Sequence, residues 1–362
     1  MPHNTPPAVL ITGVSGSLGT RLLCELANFR VVGVDLARRS TPERVDFESV
    51  DLSSSDSSAQ LADILHRSGS TAVVHLAFVL DPLRTGILDK QRMWQINVAG
   101  AVRVMEAISQ VNRAGGAIEK FIFASSVSVY GPDLPYPVRE DYPLGAHTLT
   151  YALHKRAADE LVRSNWQSLG DCSTYVLRPH IFTGPTVENY QIGALRGTPG
   201  GNSKLAARLR RQRIRLPIVI PRDRKYLENK FQFVHVDDVA RLIAFILGVP
   251  EPEPRLTVLN VAARGEPLPL RKCAEVGASK IVRLPGRLLC RLLVQLMWSL
   301  GISSIPPDAA PYLVGSYTMD TSRLREFLGD NYERVIRYTV REALEAAFQK
   351  DVPAVQPRAV AV

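Results

Sequence analysis

AVLITGVSGSLG, residues 8–19, decides the fold. Ala8 to Thr12 read as a strand without polar alternation, so both of its faces are buried, as in a parallel sheet. Gly13, Gly16 and Gly19 follow, where the strand gives way to a helix running through Leu18, Leu22, Leu23 and Leu26. Without Cβ atoms, these positions let the backbone turn sharply, approach a pyrophosphate and pack helix against sheet. The unpaired N–H groups of the helix amino terminus then face an anion. VVGVD (Val31 to Asp35) reads as the next strand and places Asp35 22 residues after Gly13. A carboxylate there accepts hydrogen bonds from adenosine ribose hydroxyls and repels a 2′-phosphate, which favours NAD over NADP. Arg38 and Arg39, just beyond, are the residues that would favour NADP instead.

Outward from that stretch the pattern repeats. A helix is expected around Leu61 to Leu65, a strand in TAVVHLA (Thr71 to Ala77) and a long helix near Val98 to Val111. Strands follow in KFIFASS (Lys120 to Ser126) and STYVLRP (Ser173 to Pro179). Strands alternating with helices predict an α/β fold with a doubly wound parallel sheet. After about Pro185 the pattern breaks up at Gly197 to Gly201, Pro250 to Pro254 and Pro306-Pro307. FQFVHVDDVARLIAFIL still reads as strand then helix, with Asp237 or Asp238 capping the helix start. The expected organisation is a core over 8–185 with 216–262 returning to it. A smaller substrate-binding lobe comes from 186–215 and 263–350, over the sheet's carboxyl edge, and 351–362 form a loose tail.

The composition, 46% hydrophobic and 22% charged, excludes a disordered or fibrous chain. MPHNTPP lacks the features of a signal peptide, and no apolar run is long enough to span a bilayer. Cys24, Cys172, Cys273 and Cys290 lie far apart without a CxxC pair, which suits reduced thiols in a cytoplasmic protein and predicts no metal site. The net charge of +9 is concentrated. Between Lys204 and Lys230 stand ten Lys or Arg against Asp223 and Glu228, a local net of +8. That run has one Tyr and no nucleic-acid reading motif, so nucleic acid is not the expected partner. It reads as solvated basic surface, or as a face for an anionic substrate or membrane.

The chemistry is carried by Tyr151 and Lys155, four apart and so on one face of a helix. A free tyrosine has a pKa near 10, and an adjacent ammonium and a positive nicotinamide ring both favour the phenolate. Lowering the pKa by roughly three units takes about 4 kcal/mol. Tyr151 would then take the proton of a substrate hydroxyl as hydride leaves its carbon for C4 of the nicotinamide, and give it back in reverse. Lys155 would also hold the nicotinamide ribose. Ser126, at a strand end 25 residues earlier, would hydrogen-bond the substrate oxygen. Asn97 reads either as a helix residue supporting the site or as a member of a proton relay. His75, His180 and His235 fall at strand edges and read as structural or substrate-lining.

TGVSGSLG, Asp35, Asp51-Leu52, HLA (75–77), NVAG (97–100), SSVSVYG (125–131), YALHK (151–155), LRPHIFTGP (177–185) and FVHVDDVA (233–240) stand in one order. In that order the chain resembles the extended short-chain dehydrogenases, the NAD-dependent epimerase/dehydratase family, from about Ala8 to Phe348. The resemblance implies a Rossmann-type core and a small-molecule substrate. It also implies a homodimer through a four-helix contact that includes the Tyr151 helix. Cofactor contacts are implied at Thr12, Gly13, Ser15, Gly16, Ser17, Leu18, Gly19, Asp35, Asp51, Leu52, Leu76, Ala77, Asn97, Lys155, Pro179 and Ile181.

Two positions depart from the family's sugar-nucleotide members. Ile181 stands where many carry Asn, and Phe231 where many carry an Arg that clamps a diphosphate. A buried diphosphate needs such polar partners. RLLCRLLVQLMWSLG (Arg287 to Gly301) adds a further clue. Arg287, Arg291, Gln295 and Ser299 form a narrow polar stripe on an otherwise apolar helix. That helix reads as buried against the lobe or in a subunit contact, or as one that meets a membrane surface or admits a lipophilic substrate. Two functional readings stay open: an epimerase or dehydratase acting on a sugar or sugar nucleotide, and a net dehydrogenase or ketoreductase acting on a sterol-like alcohol. A nucleotide sensor without catalysis is a third, and the presence of Tyr151 and Lys155 speaks against it.

Overall fold

The computed structural model describes residues 6–39, 41–80, 89–185, 187–250 and 253–349. The tail expected over 351–362 lies outside the described residues. Seven parallel strands form the central sheet: β1 (Ala8–Thr12), β2 (Arg30–Asp35), β3 (Asp46–Ser49), β4 (Ser70–His75), β5 (Lys120–Ala124), β6 (Ser173–Pro179) and a late strand, Leu256–Val261. Their spatial order runs from Leu256–Val261 through β6, β5, β4, β1 and β2 to β3. The chain winds one way from β1 to β3 and the other way from β4 onward. The switch between β1 and β4 is where a doubly wound sheet opens a crevice at its carboxyl edge.

Helices cover both faces of the sheet. On one, the helix Ser17–Glu25 packs its Leu22 and Leu23 against Leu242, Ile243 and Ile246 of the helix Val236–Gly248. On the other, Leu61 and Leu65 of the helix Ser57–Ser68 join Val104 and Ile108 of Gly100–Arg113 and Ala158 and Val162 of Thr150–Asn165. No helix of the described residues is long and apolar enough to cross a membrane. All four cysteines are unpaired.

Among the described residues, three two-stranded ladders stand outside the main sheet. β7 (Ile181–Thr183) pairs with β10 (Phe233–His235), β8 (Ile218–Pro221) with β13 (Ile281–Leu284), and β9 (Lys230–Phe231) with β12 (Leu268–Pro269). The late strand of the main sheet is therefore β11. Of the stretch 216–262, expected to return to the core as a block, β8, β9 and β10 belong to these ladders. The helix Val236–Gly248 and β11 are what rejoin the sheet. The apolar run IVIP satisfies its backbone against β13 rather than against the main sheet.

The helix Val236–Gly248 is capped by neither carboxylate expected for it. His235 Nδ1 accepts from Asp237 N at 3.2 Å instead. Asp237 is engaged by Arg21, whose Nε and terminal guanidinium nitrogen donate to it at 2.5 and 2.7 Å. Asp238 pairs with Arg241 and accepts the backbone N–H groups of Arg337 and Tyr338. Both carboxylates tie chain segments together, which leaves the neighbouring imidazole to cap.

Candidate active site

The glycine loop joins β1 to its helix against the end of β4. Gly13 adopts φ +72°, and a Cβ there would lie 2.5 Å from Ala77 N. Gly19 meets Val14 O just as closely, so it serves helix–strand packing. Asp35 Oδ2 accepts from Ser15 N at 3.0 Å and Oδ1 from Leu36 N at 2.8 Å. Two of the carboxylate's roughly four acceptor positions remain for ribose hydroxyls.

A cleft opens over this loop. It is lined by Gly13, Ser15, Gly16, Asp35, Asp51, Leu52, Leu76 and Ala77, eight of the sixteen residues expected at a cofactor. The other eight are not in that lining. Thr12 is buried, sharing a 2.7 Å hydrogen bond with His75 Nδ1, and Leu18 packs into the core below. Ser17 is exposed at the helix start, and Gly19 is buried behind it. Pro179 ends β6 and Ile181 begins β7, at the lobe side of the sheet. Lys155 sits below the cleft, and Asn97 is spent on the backbone. Its Oδ1 accepts from Val79 N at 2.7 Å, and its Nδ2 reaches Val79 O at 3.1 Å and His154 Nδ1 at 3.2 Å. It does so from a π-helical turn, Gln95–Ala99, and so holds the segment that lines the cleft. Arg38 is likewise occupied, donating to Pro42 O and Val45 O, which leaves Arg39 at the cleft.

Ser126, Tyr151 and Lys155 come together beside that cleft. Ser126 caps the short helix Val127–Tyr130, accepting from Ser128 N at 3.2 Å, and lies close enough to the Tyr151 hydroxyl to oppose the rise in its pKa. Lys155 Nζ donates to Ala124 O at 2.5 Å and lies 3.6 Å from the ring centre of Phe78. The Phe78 ring meets Tyr151 edge-on at 5.5 Å and also lines the cleft, so it joins the two. The electrostatics differ from the expectation. Burial pushes the Tyr151 phenol up to about 12, with only Ser126 opposing it. Burial pushes the Lys155 ammonium down to about 7, against the raising pull of Asp159. Desolvation penalises both charged forms, so the protein alone keeps the phenol neutral.

Several residues here were not picked out from the sequence. Asp159 continues the Tyr151–Lys155 row by one more turn and is fully buried. It accepts from Arg178, through Nε and a terminal nitrogen, at 3.0 and 2.8 Å and from Ser125 Oγ at 2.5 Å. Arg178 also donates to Tyr130 Oη and Glu140 O. The four-residue spacing was the legible signal for Asp159. Tyr317 gave none. It arrives from the lobe with its hydroxyl buried and unpaired, its ring against His180 and Tyr312, and burial pushes its phenol well up. The three histidines are buried and neutral. Burial lowers His75 and His180 to about 3 and His235 to about 4. Among the described residues no group of three His, Cys, Asp or Glu is placed to hold a metal.

This arrangement, a dinucleotide-type cleft beside a tyrosine–lysine–serine cluster, agrees with what family comparison finds. Residues 9–262 match the NAD dependent epimerase/dehydratase family. The chain belongs to that family. It is an enzyme of the extended short-chain dehydrogenase type, and it is similar to UDP-glucose 4-epimerases. With that of Bacillus subtilis (strain 168) it shares 26% identity over 182 residues, 47% of this chain and 51% of that protein. With that of Erwinia amylovora it shares 27% over 181 residues, 47% and 52% of the two chains. The chain thus spans about half the length of the curated relatives it matches. Solved structures share the fold over nearly the whole chain. The UDP-glucose 4-epimerase of Thermus thermophilus, in complex with NAD, superposes with a TM-score of 0.63 at 19% identity, covering 94% of this chain and 97% of that one. MoeE5 with UDP-glucuronic acid and NAD gives 0.61 at 24%, with the same coverage.

Proposed function

We propose that this enzyme carries out NAD-dependent epimerase chemistry on a secondary hydroxyl of a nucleotide sugar, with Tyr151 as acid and base. The observation that carries the reading is Tyr151 and Lys155 on one turn of helix, with Ser126 beside the phenol and Phe78 between them and the cleft. The cleft residues fit NAD: Gly13 and Gly16 admit a pyrophosphate, and Asp35 accepts from the adenosine ribose. When bound, NAD supplies a hydride acceptor and a positive charge near the phenol.

Tyr151 takes the proton of the substrate hydroxyl and returns it to the ketone oxygen after the sugar has presented its other face. At neutral pH a phenol held near 12 needs about 7 kcal/mol to work as a base. That stabilisation must come from charge arriving with the cofactor and from Lys155. Ser126 donates to the substrate oxygen and steadies developing negative charge. The relatives, UDP-glucose 4-epimerases, support a UDP-hexose as the substrate class. We also propose a homodimer through the helices Gly100–Arg113 and Thr150–Asn165, near which Trp94 and Leu153 are exposed.

A second reading rests on Phe231. It is wholly buried in the lobe, and an apolar cavity lies nearby, lined by Leu195, Leu216, Ile218, Leu270, Val294 and Met297. These residues favour a lipophilic alcohol oxidised in a net reaction. Mass spectrometry of the denatured native protein separates the two. About one NAD per chain surviving dialysis, with interconversion of UDP-glucose and UDP-galactose, supports the epimerase. An empty site that exchanges NAD freely, with no epimerisation, overturns it in favour of net redox.

A further inference from the structure

The helix Arg287–Ser299 packs only one side against the lobe, through buried Cys290 and half-buried Leu293, Val294 and Met297. Its outer side is exposed and mixed, with Arg291, Gln295 and Ser299 beside a row of leucines. Leu288, Leu292 and Leu296 follow one another at four-residue spacing and are 71%, 55% and 53% exposed. Leu289 and Leu300, 43% and 52% exposed, extend the same side. A helix buried against the lobe, one of the sequence-based expectations, is thus corrected: the lobe is covered by one helical side and a leucine ridge is left over. Contiguous apolar patches of this kind mark interaction surfaces.

Cations stand at both ends of the ridge. At the carboxyl end, Gly301 O accepts from Ser203 N at 3.1 Å, which seats the helix Lys204–Arg211 there. At the amino end, Arg222 N donates to Leu284 O at 2.8 Å, and Arg287 Nε to Tyr226 Oη at 2.5 Å. The side chains of Lys204, Arg208, Arg211 and Arg213 at one end, and of Arg222 and Arg224 at the other, are exposed. None of the six has a hydrogen-bond or ion-pair partner among the described residues. The local surplus seen in the sequence is therefore gathered around a helix that shows a row of leucines to solvent.

We propose that this face docks on an anionic phospholipid bilayer, with the leucine ridge at the headgroup–acyl boundary and the flanking cations on lipid phosphates. An apolar face bordered by Lys and Arg is the pattern of a helix lying in a membrane interface. A second copy of the chain fits this surface poorly. Two-fold packing of the ridge on itself sets cationic ends against cationic ends, whichever way the helices run, and like charges oppose it.

Co-sedimentation of the full chain with phosphatidylglycerol vesicles, and with phosphatidylcholine vesicles as control, tests the proposal. Binding is expected to phosphatidylglycerol only and to weaken as salt rises. Arg208→Glu with Arg211→Glu should weaken it about fivefold for each cation removed. Leu288→Gln with Leu292→Gln and Leu296→Gln should weaken it at least about tenfold, with the thermal midpoint and NAD binding unchanged. Should the leucine variant fail to fold, the exposed arginine pair still decides the matter. Failure to sediment with phosphatidylglycerol, equal binding to phosphatidylcholine, or undiminished binding by the arginine variant overturns the proposal. So does a leucine variant whose light-scattering mass falls to half, which would make the ridge a contact between copies.

Discussion

Tyr151 and Lys155 share one turn of helix and one desolvated environment, which acts on them in opposite directions. The phenol is held near 12 and the ammonium near 7, so without cofactor both groups are largely neutral in mildly alkaline solution. Tyr151→Phe removes only a hydroxyl and keeps the ring against Phe78. Turnover in either direction should fall by at least about a hundredfold while NAD affinity stays within about twofold, measured by titration calorimetry. Loss of NAD binding in that variant would assign Tyr151 to the cofactor rather than to the chemistry. Lys155 makes a thermodynamic prediction. Its pKa is about 7 in the fold and near 10.5 when unfolded, so between those values the unfolded chain holds the extra proton. Stability attributable to this group therefore rises with pH across that window, by up to about 1.4 kcal/mol per pH unit. Urea midpoints between pH 7.5 and 9.5 should show that rise in the wild type and lose it in Lys155→Met.

At the scale of elements, the sequence was most legible where burial is two-sided. β1, β2, β4, β5 and β6 are runs of apolar residues bounded by turns, and each stands within a residue or two of its reading. β3, DFES, escaped notice because it is an edge strand with no residue fully buried, so neither alternation nor an apolar run marks it. The π-turn Gln95–Ala99 was read as ordinary helix, since the extra residue that aims Asn97 at Val79 leaves no trace in periodicity. Asn97→Ala leaves Val79 N and O without their side-chain partner and should cost about 1–3 kcal/mol of stability. It should weaken NAD binding with it, as the cleft wall loosens. Gly13→Ala is a harsher change, placing a Cβ 2.5 Å from Ala77 backbone at φ +72°. The end of β4 cannot retreat without breaking the Leu76 N to Thr12 O bond, so this variant should lose NAD binding altogether. A Gly13→Ala protein binding NAD with wild-type affinity would show that the loop is not what cradles the cofactor.

Over the whole molecule, what stayed illegible is the lobe, whose short ladders bring together residues far apart in the chain. Nothing in the order of residues announces that Tyr317 will pack against His180 and Tyr312. The histidines show why such placement matters. His75, His180 and His235 come from three strand ends, yet all are enclosed, His75 against Thr12 and Phe123 of the sheet and the other two against Tyr317 and Tyr338, and desolvation holds all three neutral. Each binds a proton near pH 6.5 once the chain unfolds but not until about pH 3 to 4 in the fold. The unfolded state thus takes up more protons as pH falls through this range, and folding stability must drop with it. Three such groups set a slope of up to roughly 4 kcal/mol per pH unit, between about 6 and 4. Chemical denaturation across that interval should follow it, and His180→Gln, whatever its effect on stability at neutral pH, should reduce the slope by up to about 1.4 kcal/mol per unit. A wild-type curve that is flat from pH 6 to 4 would mean that these imidazoles gain their protons inside the fold. The close packing that desolvates them would then be absent.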